Sequence, residues 1–243
     1  MPVLVVIPAR LGSTRLPRKP LQPLGGVPLI VRVAERIQEH GVADRLVIAT
    51  DAEEIAAAVQ AGGFEAVLSS ARHASGTDRV HEVSVRPEFA GYDEILNVQG
   101  DAPFVPAGAL WGALALVRNG FDLGTAAVPL PADEAADPSR VKVVADSHGR
   151  ALYFSRAPIP FAAEQHWLHL GVYAYRRPAL CRFASVPPSP LELAEHLEQL
   201  RALELGLAIG VERLPEPGGP AIDTLDDLRA AEALWTATQE VTQ

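Results

Sequence analysis

The hydrophobic positions of this chain fall into short unbroken runs separated by stretches of helical spacing. VLVVI at 3–7 is an uninterrupted aliphatic run closed by Pro8, which predicts a strand buried on both faces, as in a parallel sheet. Leu29, Ile30, Val33, Ala34 and Ile37 then recur at helical spacing, with Pro28 suited to the first turn and Gly41 near the end. RLVIAT at 45–50 predicts a second strand. Asp51 and Glu54 read as the capping box of the next helix, which Gly62-Gly63 ends. EAVLS from 65 predicts a third strand, and a helix is expected over about 77–86. EILNVQ at 94–99 predicts another buried strand, ending in Gly100-Asp101. A helix over about 107–118 and a strand over about 123–129 follow.

From about residue 130 the rhythm changes. RVKVVAD and ALYFS, joined by Ser147-His148-Gly149, predict two antiparallel strands, and LHLGVYAYR at 168–176 predicts another. SPLELAEHLEQLRALELG at 189–206 reads as one strong helix, capped by Ser189, with Pro190 first, Glu192 closing a capping box and Gly206 ending it. LAIGVERL returns as a strand, and Thr224 with Asp227 starts a last helix to about 236. The alternation of strand and helix predicts an α/β fold with an open, mostly parallel, Rossmann-like sheet. A single domain over 1–243 is expected, with 130–176 as an antiparallel β insertion; 129–138 and EPGGP at 216–220 are loops. Open parallel sheets bind ligands outside the carboxyl ends of their strands. The loop after VLVVI and the Gln99-Gly100-Asp101 turn both sit at such ends.

Composition narrows the class. Hydrophobic residues make up 48% of 243 and aromatics 6%, so aliphatic side chains carry the core. No apolar run approaches the roughly 20 residues of a membrane span, and the start lacks the pattern of a secretory signal. A single cysteine, Cys181, excludes an intrachain disulfide, and the expectation is a cytoplasmic protein. The net charge of −9 argues against a nucleic-acid coat and makes a local basic cluster conspicuous.

That cluster is PARLGSTRLPRKPL at 8–21. Arg10, Arg15, Arg18 and Lys19 surround Gly12, Ser13 and Thr14, whose amides can form an anion-binding concavity. Arginine offers bidentate geometry to phosphate, and Lys19 a mobile point charge. A solvated loop is the bland alternative, but prolines 8, 17, 20 and 23 pre-set a rigidity that such a loop does not need. Asp101 ends a buried strand and Asp223 follows the glycine-proline loop before the last helix; they either cap local structure or together hold Mg²⁺. Neither a Walker loop nor G-x-G-x-x-G follows the first strand, and no zinc motif or G-x-S-x-G elbow is present. His169, within an apolar strand, reads by itself as a structural histidine.

Several segments jointly resemble the 3-deoxy-manno-octulosonate (Kdo) cytidylyltransferase family. They are the loop at 8–21, ATD at 49–51, HASGTDR at 73–79, NVQGDAP at 97–103, KVV with ALYFSRAPIP to 160, HLGVYAY at 169–175, SPLELAEHLEQLRALE at 189–204 and IDTLDDL at 222–228. The resemblance implies a nucleotidyltransferase-type sheet and a CTP-dependent reaction that gives CMP-Kdo and pyrophosphate, a precursor step for lipopolysaccharide. It implies Lys19, Asp101 and Asp223 as catalytic residues, with Arg10, Arg15, Lys19, Arg79 and Gln99 binding nucleotide. Asp101 and Asp223 would hold Mg²⁺. Arg156, His169, Tyr173, Glu198 and Gln199 would meet an acidic 2-keto sugar, Glu198 and His169 through its hydroxyls or carboxylate. A homodimer pairing through 141–175 is implied too, without nucleic-acid partners or membrane insertion.

Three positions depart from the family pattern. Ala102 follows Asp101 where Glu is usual, Leu168 stands where a basic residue usually precedes the histidine, and the segment between PIP and HLG is short. These bear on the acceptor. The same chemistry on 8-amino-Kdo or another 2-keto sugar acid is the alternative, and a catalytically silent nucleotide-binding relative is the reading from another class.

Overall fold

The computed structural model describes residues 1–13, 15–73, 75–216 and 219–241. It begins with β1 (Val3–Ala9), a 3-10 turn at Lys19–Leu21, and a small hairpin of β2 (Pro23–Leu24) and β3 (Val27–Pro28). Next come α1 (Leu29–Glu39), β4 (Arg45–Thr50), α2 (Glu53–Ala61), β5 (Glu65–Leu68) and α3 (Gly76–Ser84). β6 (Glu94–Asn97), α4 (Ala107–Arg118), β7 (Leu123–Pro131), β8 (Lys142–Ala145), β9 (Ala151–Ser155) and β10 (Gln165–Arg176) follow. α5 (Arg177–Ala184), α6 (Pro190–Glu195), α7 (Gln199–Glu204), β11 (Ile209–Arg213) and α8 (Leu225–Val241) complete the order. Contacts gather into two compact units, one of residues 4–89, 98–105 and 219–241, the other of 1–3, 90–97 and 106–216.

In the first unit β1, β4 and β5 lie parallel in that order, with Val6 opposite Val47 and Ile48 opposite Ala66. Leu4–Ile7 and Val47–Thr50 are fully buried, as expected of strands covered on both faces. The predicted apolar stripe of α1 is buried at all five positions. α2 departs from expectation: its N-cap is Ala52, without a side-chain cap. Asp51 instead receives Arg79 at 3.0 Å, and Glu54 receives Arg18 at 2.6 Å, so tertiary ion pairs take the carboxylates meant for a capping box. α3 does carry one, from Ser75 and Asp78, and ends at Ser84, two residues earlier than expected. α8 is capped by Thr224 and Asp227 as predicted, Asp227 N donating to Thr224 Oγ1 at 3.2 Å and Thr224 N to Asp227 Oδ2 at 2.8 Å. It runs past 236 to Val241, because no Gly or Pro interrupts it.

In the second unit β7 pairs with β11 in parallel, while β10 runs antiparallel to both β6 and β7. β8 and β9 form the expected antiparallel pair, and Leu168 of β10 lies opposite Lys142 of β8. β6 stops at Asn97, two residues short of the predicted strand. β10 is longer than predicted and bulged between His169 and Tyr173, where Gly171 supplies a φ of 68°. The predicted helix over 189–206 is two helices. His196 turns left-handed at φ 54° after α6, and the chain restarts at Gln199. Leu193 is 61% exposed, whereas Leu197 and Leu200 are buried.

Candidate active site

The loop after β1 is braced from within. Ser13 N donates to Leu11 O, Ser13 Oγ accepts from Leu16 N, and Gln22 Nε2 donates to Pro17 O. Leu16 and Pro20 are buried, and Arg18 turns left-handed at φ 54° to deliver Lys19. Of the proposed amide cradle, Thr14 lies outside the described residues.

Lys19 Nζ donates to Asp101 Oδ2 at 2.5 Å and to Asp223 Oδ1 at 3.0 Å, joining groups 82 and 204 positions apart in sequence. Arg15 adds an ion pair to Asp223 at 3.1 Å. Burial opposes the charge of Lys19, but the two carboxylates outweigh it and raise its pKa above the ordinary lysine value. The backbone brings the carboxylates together: Ile222 N donates to Asp101 O at 2.9 Å. Gly100 lets the turn close, since a Cβ there would stand 3.1 Å from Pro8 O and Ile30 Cδ1. The capping reading of Asp223 gives way, because Asp227 does that work and accepts from Asp223 N at 3.0 Å.

Asp101 and Asp223 thus converge on one point, the place of Lys19 Nζ. Among the described residues no group of three or more His, Cys, Asp or Glu could hold a metal. Two hard carboxylates fit a cation such as Mg²⁺ that takes its other oxygens from phosphate and water. The other expected nucleotide residues lie in the same unit. Arg10 is exposed just after β1, and Gln99 is half-buried in the turn before Asp101. Arg79 is 4% exposed and braced by Ser69 Oγ at 2.5 Å as well as by Asp51. Nearby, Glu82 accepts from His73 Nε2, from Ser70 N at 2.9 Å and from Arg86 at 2.8 Å. Burial works against its charge, yet these donors draw its pKa down to about 2.

The residues that the resemblance assigns to the sugar all fall in the second unit. Arg156 donates from Nε to Glu195 O at 2.8 Å, and its two terminal nitrogens reach His196 O and Pro138 O. It thereby serves carbonyls that the end of α6 leaves unpaired. Glu195 accepts in turn from Ser155 Oγ at 2.7 Å and Arg156 N at 2.9 Å. His169 Nε2 lies 2.9 Å from Thr125 Oγ1, and its ring centroid is 5.1 Å from Phe154 and 5.2 Å from Tyr173. Burial pushes the His169 pKa down to about 3. Burial also raises that of Tyr173, with the charges of Tyr175 and Glu198 adding to it.

Glu198 does not lie within one continuous helix. It is the N-cap residue of α7, at the break, and Gln199, 4% exposed, opens the helix. The break is held by a buried pair: Arg201 donates from Nε and a terminal nitrogen to both oxygens of Glu192, each at 2.6 Å. The Arg201 guanidinium also lies 4.3 Å from the Phe183 ring centre. Sequence reasoning missed Thr125 and Glu195. Nothing in GTAAV marks the threonine, whose role comes from cross-strand register.

The family model described as cytidylyltransferase matches residues 4–209. The chain belongs to this family. Asp223 lies beyond the matched span, while Lys19 and Asp101 lie within it. A 3-deoxy-manno-octulosonate cytidylyltransferase of Gemmatimonas aurantiaca is 53% identical over 97% of this chain and 95% of its own length. One from Xanthomonas campestris pv. campestris is 46% identical over 95% and 98%. A solved structure of CMP:2-keto-3-deoxy-manno-octonic acid synthetase complexed with CTP superposes with a TM-score of 0.91 at 37% identity, over 98% of this chain and all of that one. The α/β fold, its mostly parallel central sheet and its antiparallel excursion are thus those of a known cytidylyltransferase.

Proposed function

We propose that this cytidylyltransferase couples CTP with Kdo. The sugar C2 hydroxyl oxygen attacks the α-phosphorus, the bond to the oxygen bridging to the β-phosphorus breaks, and CMP-Kdo and pyrophosphate result. The hydroxyl proton passes to solvent. The observation that carries this reading is the meeting of Lys19, Asp101 and Asp223 at the foot of a basic loop, in a chain of this family. Such a transfer needs positioning and charge neutralisation rather than a protein nucleophile.

In this reading Asp101 and Asp223 hold Mg²⁺, which when bound neutralises phosphate charge and acidifies the attacking hydroxyl. Lys19, a firm ammonium, and Arg10 and Arg15 grip the triphosphate, and Arg79 and Gln99 shape the nucleotide side. Arg156, His169, Tyr173, Glu198 and Gln199 form the acceptor side, where the raised pKa of Tyr173 keeps its hydroxyl a donor. A homodimer is part of the proposal: Leu152 on β9 is 57% exposed and Phe161 98%, apolar surface that a second copy would cover. Among the described residues no helix is long and apolar enough to cross a membrane. Work in the cytoplasm, where CTP is available, and a product destined for lipopolysaccharide complete the reading.

Pyrophosphate release from CTP, Mg²⁺ and a panel of 2-keto sugar acids tests it, with Kdo expected as the preferred acceptor. Failure to release pyrophosphate with any acceptor of the panel would overturn the enzyme reading in favour of a silent relative. Leu168, opposite Val128 and Lys142, carries no positive charge to repel an amino substituent, so 8-amino-Kdo belongs in the panel as the second reading.

A further inference from the structure

Thr125 lies on β7 opposite Tyr173 of β10, fully buried, and belongs to none of the nucleotide or sugar roles assigned above. Its hydroxyl oxygen stands 2.6 Å from Val172 O and 2.9 Å from His169 Nε2. A carbonyl oxygen only accepts, so the single hydroxyl proton of Thr125 points at Val172. The remaining lone pairs of Oγ1 face the imidazole, which must therefore donate, and Nε2 carries the ring proton. A neutral imidazole has one such proton, so Nδ1 is left as a bare acceptor. The ring has little freedom to exchange its two nitrogens. Phe154 meets it edge-on, Tyr173 leans against it, and the backbone N–H of His169 is held by Val141 O at 2.8 Å. Among the described residues Nδ1 has no hydrogen-bond partner, and His169 keeps partial solvent access.

We propose that Thr125 is a positioning residue that sets the tautomer of His169, so that His169 reads a hydroxyl of the acceptor sugar through Nδ1 and cannot bind its carboxylate. A carboxylate only accepts, and an imidazole nitrogen without a proton has nothing to give it. The depressed pKa of His169 agrees, because a protonated ring would donate from both nitrogens. Of the two ways His169 could serve the sugar, hydroxyl recognition remains. This inference rests on the acceptor site proposed above.

The test uses the full chain labelled with ¹⁵N-histidine, and NMR reads which nitrogen of His169 is protonated, its signal assigned by loss in His169→Asn. Wild type should show Nε2–H. Thr125→Val, nearly isosteric, should lose that preference, and Thr125→Ser should restore it. In steady-state assays Thr125→Val should raise KM for Kdo by about 3–10-fold, the range of one neutral hydrogen bond, with KM for CTP unchanged and Thr125→Ser near wild type. A proton on Nδ1 in wild type, or a Thr125→Val variant with unaltered tautomer and unaltered Kdo KM, would overturn the proposal. The NMR arm needs no sugar, so a wild-type chain that fails to turn over Kdo sinks the proposed function while tautomer control by Thr125 is still decided.

Discussion

Replacing Lys19 by Met removes the one ammonium that spans Asp101 and Asp223, and it should slow the enzyme while tightening its hold on a free divalent cation. Nζ lies 2.5 Å from one carboxylate oxygen and 3.0 Å from the other, so those oxygens stand at most about 5.5 Å apart. Two unit negative charges at that distance repel by about 3 kcal/mol at an effective dielectric near 20. The Asp223 side chain is 37% exposed, and solvent screening reduces the figure to about 1–2 kcal/mol. In wild type Lys19 cancels this repulsion; in the variant a cation must do so. Mn²⁺, followed by electron paramagnetic resonance in nucleotide-free protein, should therefore bind about 5–30-fold more tightly to Lys19→Met. Turnover should move the other way. Losing one charge-assisted phosphate contact of about 1.5–3 kcal/mol lowers kcat/KM by roughly 10–150-fold, alike for every acceptor. Mn²⁺ affinity that is unchanged or weaker in Lys19→Met would refute the shared cation position, whatever happens to the rate.

Asp101→Asn and Asp223→Asn should each cost far more in kcat than in CTP affinity, because charge on the phosphates grows in the transition state; near-normal turnover of both at saturating Mg²⁺ would remove them from metal binding. Arg201→Met should strand the buried Glu192 carboxylate and destabilise the protein by about 3–5 kcal/mol, and adding Glu192→Gln should recover part of that loss in urea denaturation. For Glu82 the folded pKa, about 2, lies below the ordinary 4.5. Its contribution to stability is thus complete above about pH 4.5 and is lost as pH falls toward 2. Solvent reaches the group, so the contribution is about 2 kcal/mol, and urea midpoints measured from pH 5 to 2.5 should fall less steeply in Glu82→Gln than in wild type.

What could be read from the residues alone divides along physical lines. VLVVI, RLVIAT and the stripe of α1 declare themselves because one geometry buries them all, and Thr224 with Asp227 does so because a capping box is local. Lys19 and Asp101 could be nominated by their places after strands, and all three, Asp223 included, by the family resemblance. Their meeting depends on a backbone bond from Ile222 to Asp101 that no local pattern encodes. The helix over 189–206 was misleading for the opposite reason. Every local preference favours continuity, and His196 is neither Gly nor Pro, yet a buried Arg201–Glu192 pair holds a broken path. Asp51 misled likewise, a well-placed cap taken by Arg79. α5 passed unnoticed although Pro178 stands in its first turn, a signal that could have found it.

The bond from Ile222 to Asp101 also bears on the order in which the pair of carboxylates assembles. Asp223 stands 122 residues after Asp101, so synthesis supplies the second carboxylate long after the first. Strands β1, β4 and β5 can pair long before that, and Lys19 can already find Asp101, but the pair of acids is completed only as the last helix folds back. A nascent chain thus holds strands β1, β4 and β5 before it holds both carboxylates.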